Sequence, residues 1–185
     1  IAAFFGKEKA LFFPTGTMAN LTALLTWCEK RGSEIILGNK SHIFLFEQSG
    51  ASQIGGIGYS VLQNKHDGTI DIEHIRKAIR DDDIHEPITS LIAIENTHNA
   101  CGGKILPISY LNDLQTLAKQ HNLPVHLDGA RLWNALEEYM HSASKVASYV
   151  DSLSVCLSKG LGAPIGSLLV GNEMFINKAR RIRKV

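Results

Sequence analysis

Cysteine is scarce. Cys28, Cys101 and Cys156 are the only three in 185 residues, an odd number without metal-ligand spacing. That argues against a disulfide framework and suits a reducing compartment, so a cytoplasmic location is the expectation. No His/Cys/Asp set has zinc spacing, and no metal is expected. Excess charge of one sign is also missing: 19 Lys and Arg stand against 18 Asp and Glu, a net charge of +1. Nothing electrostatic therefore favours nucleic acid or a membrane surface as partner. The one basic stretch, residues 178–184, reads as the solvated face of a terminal helix. There is no apolar run long enough to span a bilayer, no internal repeat and no low-complexity linker. An initial Met is lacking too. Residues 1–6 read as the end of an amphipathic helix, and the last residues stop inside another. Both ends are therefore expected to be cut from a longer chain, which leaves any targeting signal outside it.

What is present is an alternation of strand-like and helix-like segments. Strands are expected at 10–13, 34–37, 59–62, 89–95, 124–127, 151–157 and 166–171. Helices are expected at 18–29, 41–50, 71–79, 107–121, 130–138 and 174–183. In the helix at 41–50, Phe44, Leu45 and Phe46 crowd together. Asp71 is a start signal for its helix, and Leu111, Leu114, Leu117 and Ala118 share one face of theirs. This βαβ rhythm predicts an α/β fold, a mostly parallel sheet with helices on both faces. The strand at 166–171 follows its predecessor too closely for a helical crossover. It should run antiparallel and make the sheet mixed.

The unusual residues collect where strands end, which in open α/β sheets is where ligands bind. Thr15-Gly16-Thr17 follows the first strand and can bring backbone N–H groups to a phosphate, although Thr is also a common helix cap. Asp128 ends one strand and Lys159 follows another. A carboxylate and a lysine so placed are what pyridoxal phosphate (PLP) requires: the amine forms a Schiff base, and the carboxylate keeps the ring nitrogen protonated. Alternatively Asp128 is a structural ion pair with Arg131 or a cap. His42 starts a helix just after a strand and could lie against an aromatic ring. His85 falls in a charged loop and reads as exposed, as do His66, His74, His121 and His141. His98 lies in a strand-end loop.

Four motifs, taken together, resemble those of low-specificity L-threonine aldolases, PLP enzymes of the aspartate-aminotransferase-like fold. They are Phe13-Pro14-Thr15-Gly16-Thr17-Met18-Ala19-Asn20, Glu95-Asn96-Thr97-His98-Asn99, His126-Leu127-Asp128-Gly129-Ala130-Arg131, and the run from Cys156-Leu157-Ser158-Lys159-Gly160 to Ser167. The resemblance covers essentially the whole chain. It implies that Lys159 carries the cofactor, that Asp128 pairs with the pyridine nitrogen, and that Gly16, Thr17 and Ser158 hold the phosphate. It implies that His42 stacks on the ring and that Arg131 contacts the substrate carboxylate beside the cofactor. His85 is implied near the substrate hydroxyl as the base that takes its proton, directly, through a water or from a neighbouring subunit, with a phosphate oxygen of the cofactor or His42 as competitors; this reverses its reading as a surface residue. His98 receives only a shaping role.

The reaction implied is retro-aldol cleavage of threonine or allo-threonine to glycine and acetaldehyde. The whole chain, residues 1–185, is then expected to be a cofactor-binding large domain without its N-terminal arm and C-terminal small domain. A second carboxylate-binding arginine is missing with the latter. The full-length protein is expected to be a homotetramer, a dimer of dimers. Two readings compete: another PLP reaction such as β-elimination, transamination or racemisation, and an inactive truncated copy.

Overall fold

The computed structural model describes residues 1–185. Its strands are β1 (Lys9–Phe13), β2 (Ser33–Gly38), β3 (Gly58–Leu62), β4 (Ile88–Glu95), β5 (Val125–Gly129), β6 (Ser152–Cys156) and β7 (Ser167–Gly171). They form one sheet in the order β1-β7-β6-β5-β4-β2-β3. The pairs from β6 through β5, β4 and β2 to β3 are parallel, and β7 is antiparallel to both its neighbours. The expected reversal of this strand is thus present. Residues 157–166 are too few for a crossover helix, so β6 and β7 join as a hairpin.

Seven helices pack around the sheet: α1 (Gly16–Trp27), α2 (His42–Leu45), α3 (Ile72–Ala78), α4 (Ile108–Gln120), α5 (Leu132–Glu138), α6 (Ala143–Ala147) and α7 (Glu173–Arg183). Strand alternation sends neighbouring residues to opposite faces. Ile35, Leu37, Leu91 and Ala93 join one cluster with Leu24 of α1, while Ile36, Ile92 and Ile94 join another with Leu111, Leu114 and Leu117 of α4. Both faces are therefore covered, and the central strands are apolar on both sides. α4 buries the stripe its periodicity marks, and α3 begins at Asp71, whose side chain accepts from Glu73 N–H.

Three expectations need correction. The helix at 41–50 is a single turn, His42–Leu45. Gln48 and Ser49 then take positive φ values of 54° and 51°, and a separate wide helical turn covers Ala51–Gly55. The break turns Glu47 inward, where it is buried, and leaves Leu45 and Phe46 exposed. Residues 1–6 hold only a 3-10 turn, Ala3–Phe5, closed by Gly6 in the left-handed region. α6 lies in a stretch where no element was expected; its start is set by Ser142, which accepts from Lys145 N–H. No helix is long and apolar enough to cross a membrane.

Candidate active site

Because β7 alone runs backwards, the carboxyl ends of the other strands and the start of β7 meet at one edge of the sheet. Pro14 stops β1, and Thr15 caps α1 by accepting from Met18 N–H at 3.1 Å. Capping and an anion-facing turn are thus compatible at one place, since the cap takes the Met18 N–H while those of Gly16 and Thr17, at the very start of α1, stay open. Gly16 sits so close to β6 that a Cβ there would lie 3.0 Å from Cys156 Sγ. β5 delivers Asp128, β6 leads into Ser158 and Lys159, and β2 leads through residues 39–41 to His42.

These side chains surround a cleft of about 390 Å³. Gly16, Thr17, His42, Asp128, Ser158 and Lys159 line it, so six of the eight residues singled out from the sequence converge. Asp128 is buried at the floor, whereas Ser158 and Lys159 are exposed at the rim. Lys159 enters no ion pair. Arg131, half-buried, is the N-cap residue of α5 next to the cleft-lining Ala130. It does not line the cleft, and its guanidinium pairs with neither Asp128 nor any other carboxylate.

His85 is elsewhere. Its side chain is 83% exposed and pairs with Asp83 at 2.7 Å in the loop leading into β4. That loop opens the strand whose other end carries Glu95, so the eight residues of β4, roughly 25 Å of extended chain, separate His85 from the cleft edge. In a single chain His85 is therefore a surface residue away from the cleft, which leaves a neighbouring subunit as the route for its expected role at the substrate hydroxyl. His66, His74, His121 and His141 are exposed as expected. The basic residues of α7 line an open depression without a single apolar residue, in keeping with a solvated face.

The floor is more polar than the sequence reading foresaw. Asp128 accepts from Ala130 N–H at 3.1 Å and from Asn20 Nδ2 at 2.9 Å. The second Asn20 N–H goes to Glu47 at 2.9 Å, and Glu47 in turn meets His42 Nδ1 at 3.0 Å. Glu95 accepts from the backbone N–H groups of His42 (2.7 Å) and Asn99 (2.9 Å), so the end of β4 pins the first turn of α2.

These acids and imidazoles shift one another. The hydrogen bond to Glu47 raises His42, while burial raises Glu47. Burial, and then the charge of Asp128, push Glu95 up to about 7. His126 is fully buried behind them and is pushed down to about 4 by desolvation. His98 is buried with its Nδ1 unpartnered, and a Cβ at Gly68 would lie 2.8 Å from its side chain.

Asn20, Glu47, Glu95 and His126 all fell inside or beside segments already singled out, yet none had been given a role. The signal was alternation. His126 and Asp128 on β5, and Ser152 and Ser154 on β6, are polar at every second position of strands covered on both sides, which marks a buried polar network rather than a solvated face.

The chain is similar to the low-specificity L-threonine aldolase of Escherichia coli K12, at 47% identity over 180 residues, 97% of this chain and 53% of that protein. It is also 35% identical over its full length to the alanine racemase TOXG of Cochliobolus carbonum, covering 48% of it. The solved threonine aldolase of Leishmania major superposes with a TM-score of 0.83 at 26% identity, over 95% of this chain and 51% of that one. The chain spans about half the length of the curated relatives it matches. The beta-eliminating lyase family model matches residues 1–185 from end to end, and the chain belongs to that family.

Proposed function

We propose that this chain is the cofactor-binding part of a PLP-dependent aldolase that cleaves L-threonine and L-allo-threonine to glycine and acetaldehyde. The observation that carries the reading is the meeting of Asp128 and Lys159 in one cleft opposite the first turn of α1. The residues fit the cofactor. A buried carboxylate suits a protonated ring nitrogen, an unpaired amine suits an aldehyde, and a glycine turn with open N–H groups suits a phosphate. When bound, PLP supplies an electron sink that stabilises the carbanion left by Cα–Cβ cleavage.

The chain's own groups have distinct tasks. Lys159 Nζ would hold the cofactor covalently. Asp128 accepts the ring N–H. Gly16, Thr17 and Ser158 hold the phosphate, and the dipole of α1 adds to them. Arg131, just outside the cleft lining, would offer its unpaired guanidinium to the substrate carboxylate. His42 would lie against the ring and, with Nδ1 tied to Glu47, would offer Nε2 to the β-hydroxyl proton. Cleavage of the Cα–Cβ bond then releases acetaldehyde, and a proton returned to Cα completes glycine.

Within one chain His42 is the base. His85 can act only in the cleft of a neighbouring copy. The setting would be a homotetramer, for which the exposed Leu45, Phe46 and Ile54 near the cleft segment offer apolar surface. The half-length match to the relatives supports a further substrate-binding domain in the whole protein. A cytoplasmic site of action suits the free thiols of Cys28, Cys101 and Cys156.

The test is a visible spectrum of the complete protein with PLP, before and after L-threonine, with acetaldehyde followed alongside. A band that shifts with acetaldehyde release is expected. A band without acetaldehyde would refute the aldolase reading and leave another PLP reaction. The similarity to an alanine racemase favours racemisation as the second reading, and loss of optical rotation from L-alanine would establish it.

A further inference from the structure

Behind the cleft floor, α1 and the strands β5 and β6 enclose a line of polar side chains that no reaction step uses. The β5–β6 register sets His126 beside Ser152 and Asp128 beside Ser154. Alternation puts all four on one face. Asn20 and Trp27, seven residues apart and so on one side of α1, lie across that face.

The hydrogen bonds have a direction, and Trp27 biases it from one end. An indole N–H can only donate, and Trp27 Nε1 donates to Ser152 Oγ at 2.8 Å. The Ser152 hydroxyl proton is then free for His126 Nδ1 at 2.9 Å. A neutral imidazole that accepts at Nδ1 carries its proton on Nε2, which faces Asn20 Oδ1 at 3.2 Å. Ser154 Oγ donates to the same oxygen at 2.7 Å. With two donors on its oxygen, the amide turns both N–H bonds the other way, to Asp128 Oδ2 and Glu47 Oε1, each at 2.9 Å. The flipped amide would set its oxygen against two carboxylates. Asn20 is 2% exposed, and all four of its hydrogen-bonding positions are used.

We propose that Asn20 is a positioning residue for the cofactor, an amide clamp that gives one N–H to Asp128 and one to Glu47, fixes where each carboxylate points, and is itself oriented by the Trp27–Ser152–His126 chain. This rests on the reading of the cleft as a PLP site. Two buried carboxylates sharing one neighbourhood repel, and a common donor between them offsets that repulsion and fixes both directions. Turned away from the cleft, Asp128 can no longer accept the ring N–H. The Glu47 branch continues to His42 Nδ1, so one amide governs both the edge and the face of the ring. A buried network of this kind is costly to satisfy partially, which makes its complete satisfaction informative.

The test uses the complete protein and two variants. Asn20→Asp keeps the size and replaces two donors by a third carboxylate. Trp27→Phe removes one N–H far from the cleft and keeps an aromatic ring over Phe175, on which Trp27 stacks at 4.7 Å. Nitrogen-15 NMR of the cofactor-free protein should find the His126 proton on Nε2, and Trp27→Phe should mix the two tautomers. In Asn20→Asp the PLP dissociation constant should rise about tenfold or more. Its visible band should also titrate between about pH 6 and 9, where the parent band is flat.

A His126 proton on Nδ1 in the parent, or unchanged affinity and an unchanged band profile in Asn20→Asp, overturns the clamp. Should Asn20→Asp fail to fold, the Trp27→Phe tautomer decides: an unmixed Nε2 proton overturns the directed chain, and mixing supports it. Failure of the parent to bind PLP would sink the cofactor reading itself and the clamp with it. A parent that binds PLP beside indifferent variants sinks the clamp alone.

Discussion

Two histidine–carboxylate pairs sit at opposite edges of the same sheet. His42 meets Glu47 at 3.0 Å and His85 meets Asp83 at 2.7 Å, each through Nδ1. By distance alone the second is the better pair. They differ in surroundings: Glu47 is 5% exposed and Asp83 53%, His42 31% and His85 83%. The buried carboxylate cannot exchange its partner for water, so it fixes the imidazole and raises its proton affinity. The exposed pair competes with solvent and contributes little. Contact geometry makes a pair, and burial on the strand-end edge gives it chemical use.

The most severe way to break the cleft edge is Lys159→Ala. The visible cofactor band and turnover should both vanish while circular dichroism stays that of the parent; a surviving band would show that another amine holds the cofactor. His42→Ala should lower kcat by about a hundredfold or more, read on threonine with cofactor loading measured separately. A loss in loading alone would make His42 a stacking residue and no base.

Glu47→Gln sharpens the contrast. Glu47 raises His42, and His42 must be unprotonated to act as base. The acid limb of kcat/KM should therefore move to lower pH, with turnover at neutral pH down by about tenfold through lost orientation. An acid limb that stays put would detach the pair from catalysis.

Stability offers a further test. His126 is pushed down to about 4 by burial, against about 6.5 in an unfolded chain. As pH falls through that window the unfolded state binds the proton first, and stability is lost. His98, also lowered by burial, acts with the same sign. Glu95, pushed up to about 7, acts oppositely: the folded state protonates first, so falling pH adds stability down to about 4.3. His42 and Glu47, both raised, share that sign. Glu95→Gln removes the largest counterweight, and its Tm should drop more steeply from pH 7 to 5 than the parent's. A slope no steeper than the parent's would show that Glu95 is ionised in the fold.

The smallest effect belongs to the far edge. Asp83→Asn should leave Tm essentially that of the parent and change turnover by less than about twofold. A larger loss of turnover would bring His85 into the cleft of a neighbouring copy.

Much of this was legible in the residues. Periodicity located the apolar stripe of α4, Asp71 announced α3, and a connection too short for a crossover gave the reversed strand. Strand-end chemistry brought Gly16, Thr17, His42, Asp128, Ser158 and Lys159 to one edge. Long-range pairing was harder to see. Nothing local in Glu47 says that the chain breaks at Gln48 and Ser49 to turn it inward, because its partners Asn20 and His42 come from other elements. α6 has five residues, too few for a period. His85 lies far from the cleft of its own chain: a matching motif carries a role but not the copy of the chain in which the role is exercised.

The reversed strand has a last consequence. Lys159 stands on a hairpin whose base is latched by Leu157 N–H to the Gly166 carbonyl and Ala163 N–H to the Leu157 carbonyl. A crossover would commit every inserted residue to threading back across the sheet. A hairpin can lengthen or shorten at its tip while both strands keep their register, so the reach of the amine is adjustable independently of the scaffold. For protein engineering, residues 158–165 are the segment in which to graft a new active-site geometry.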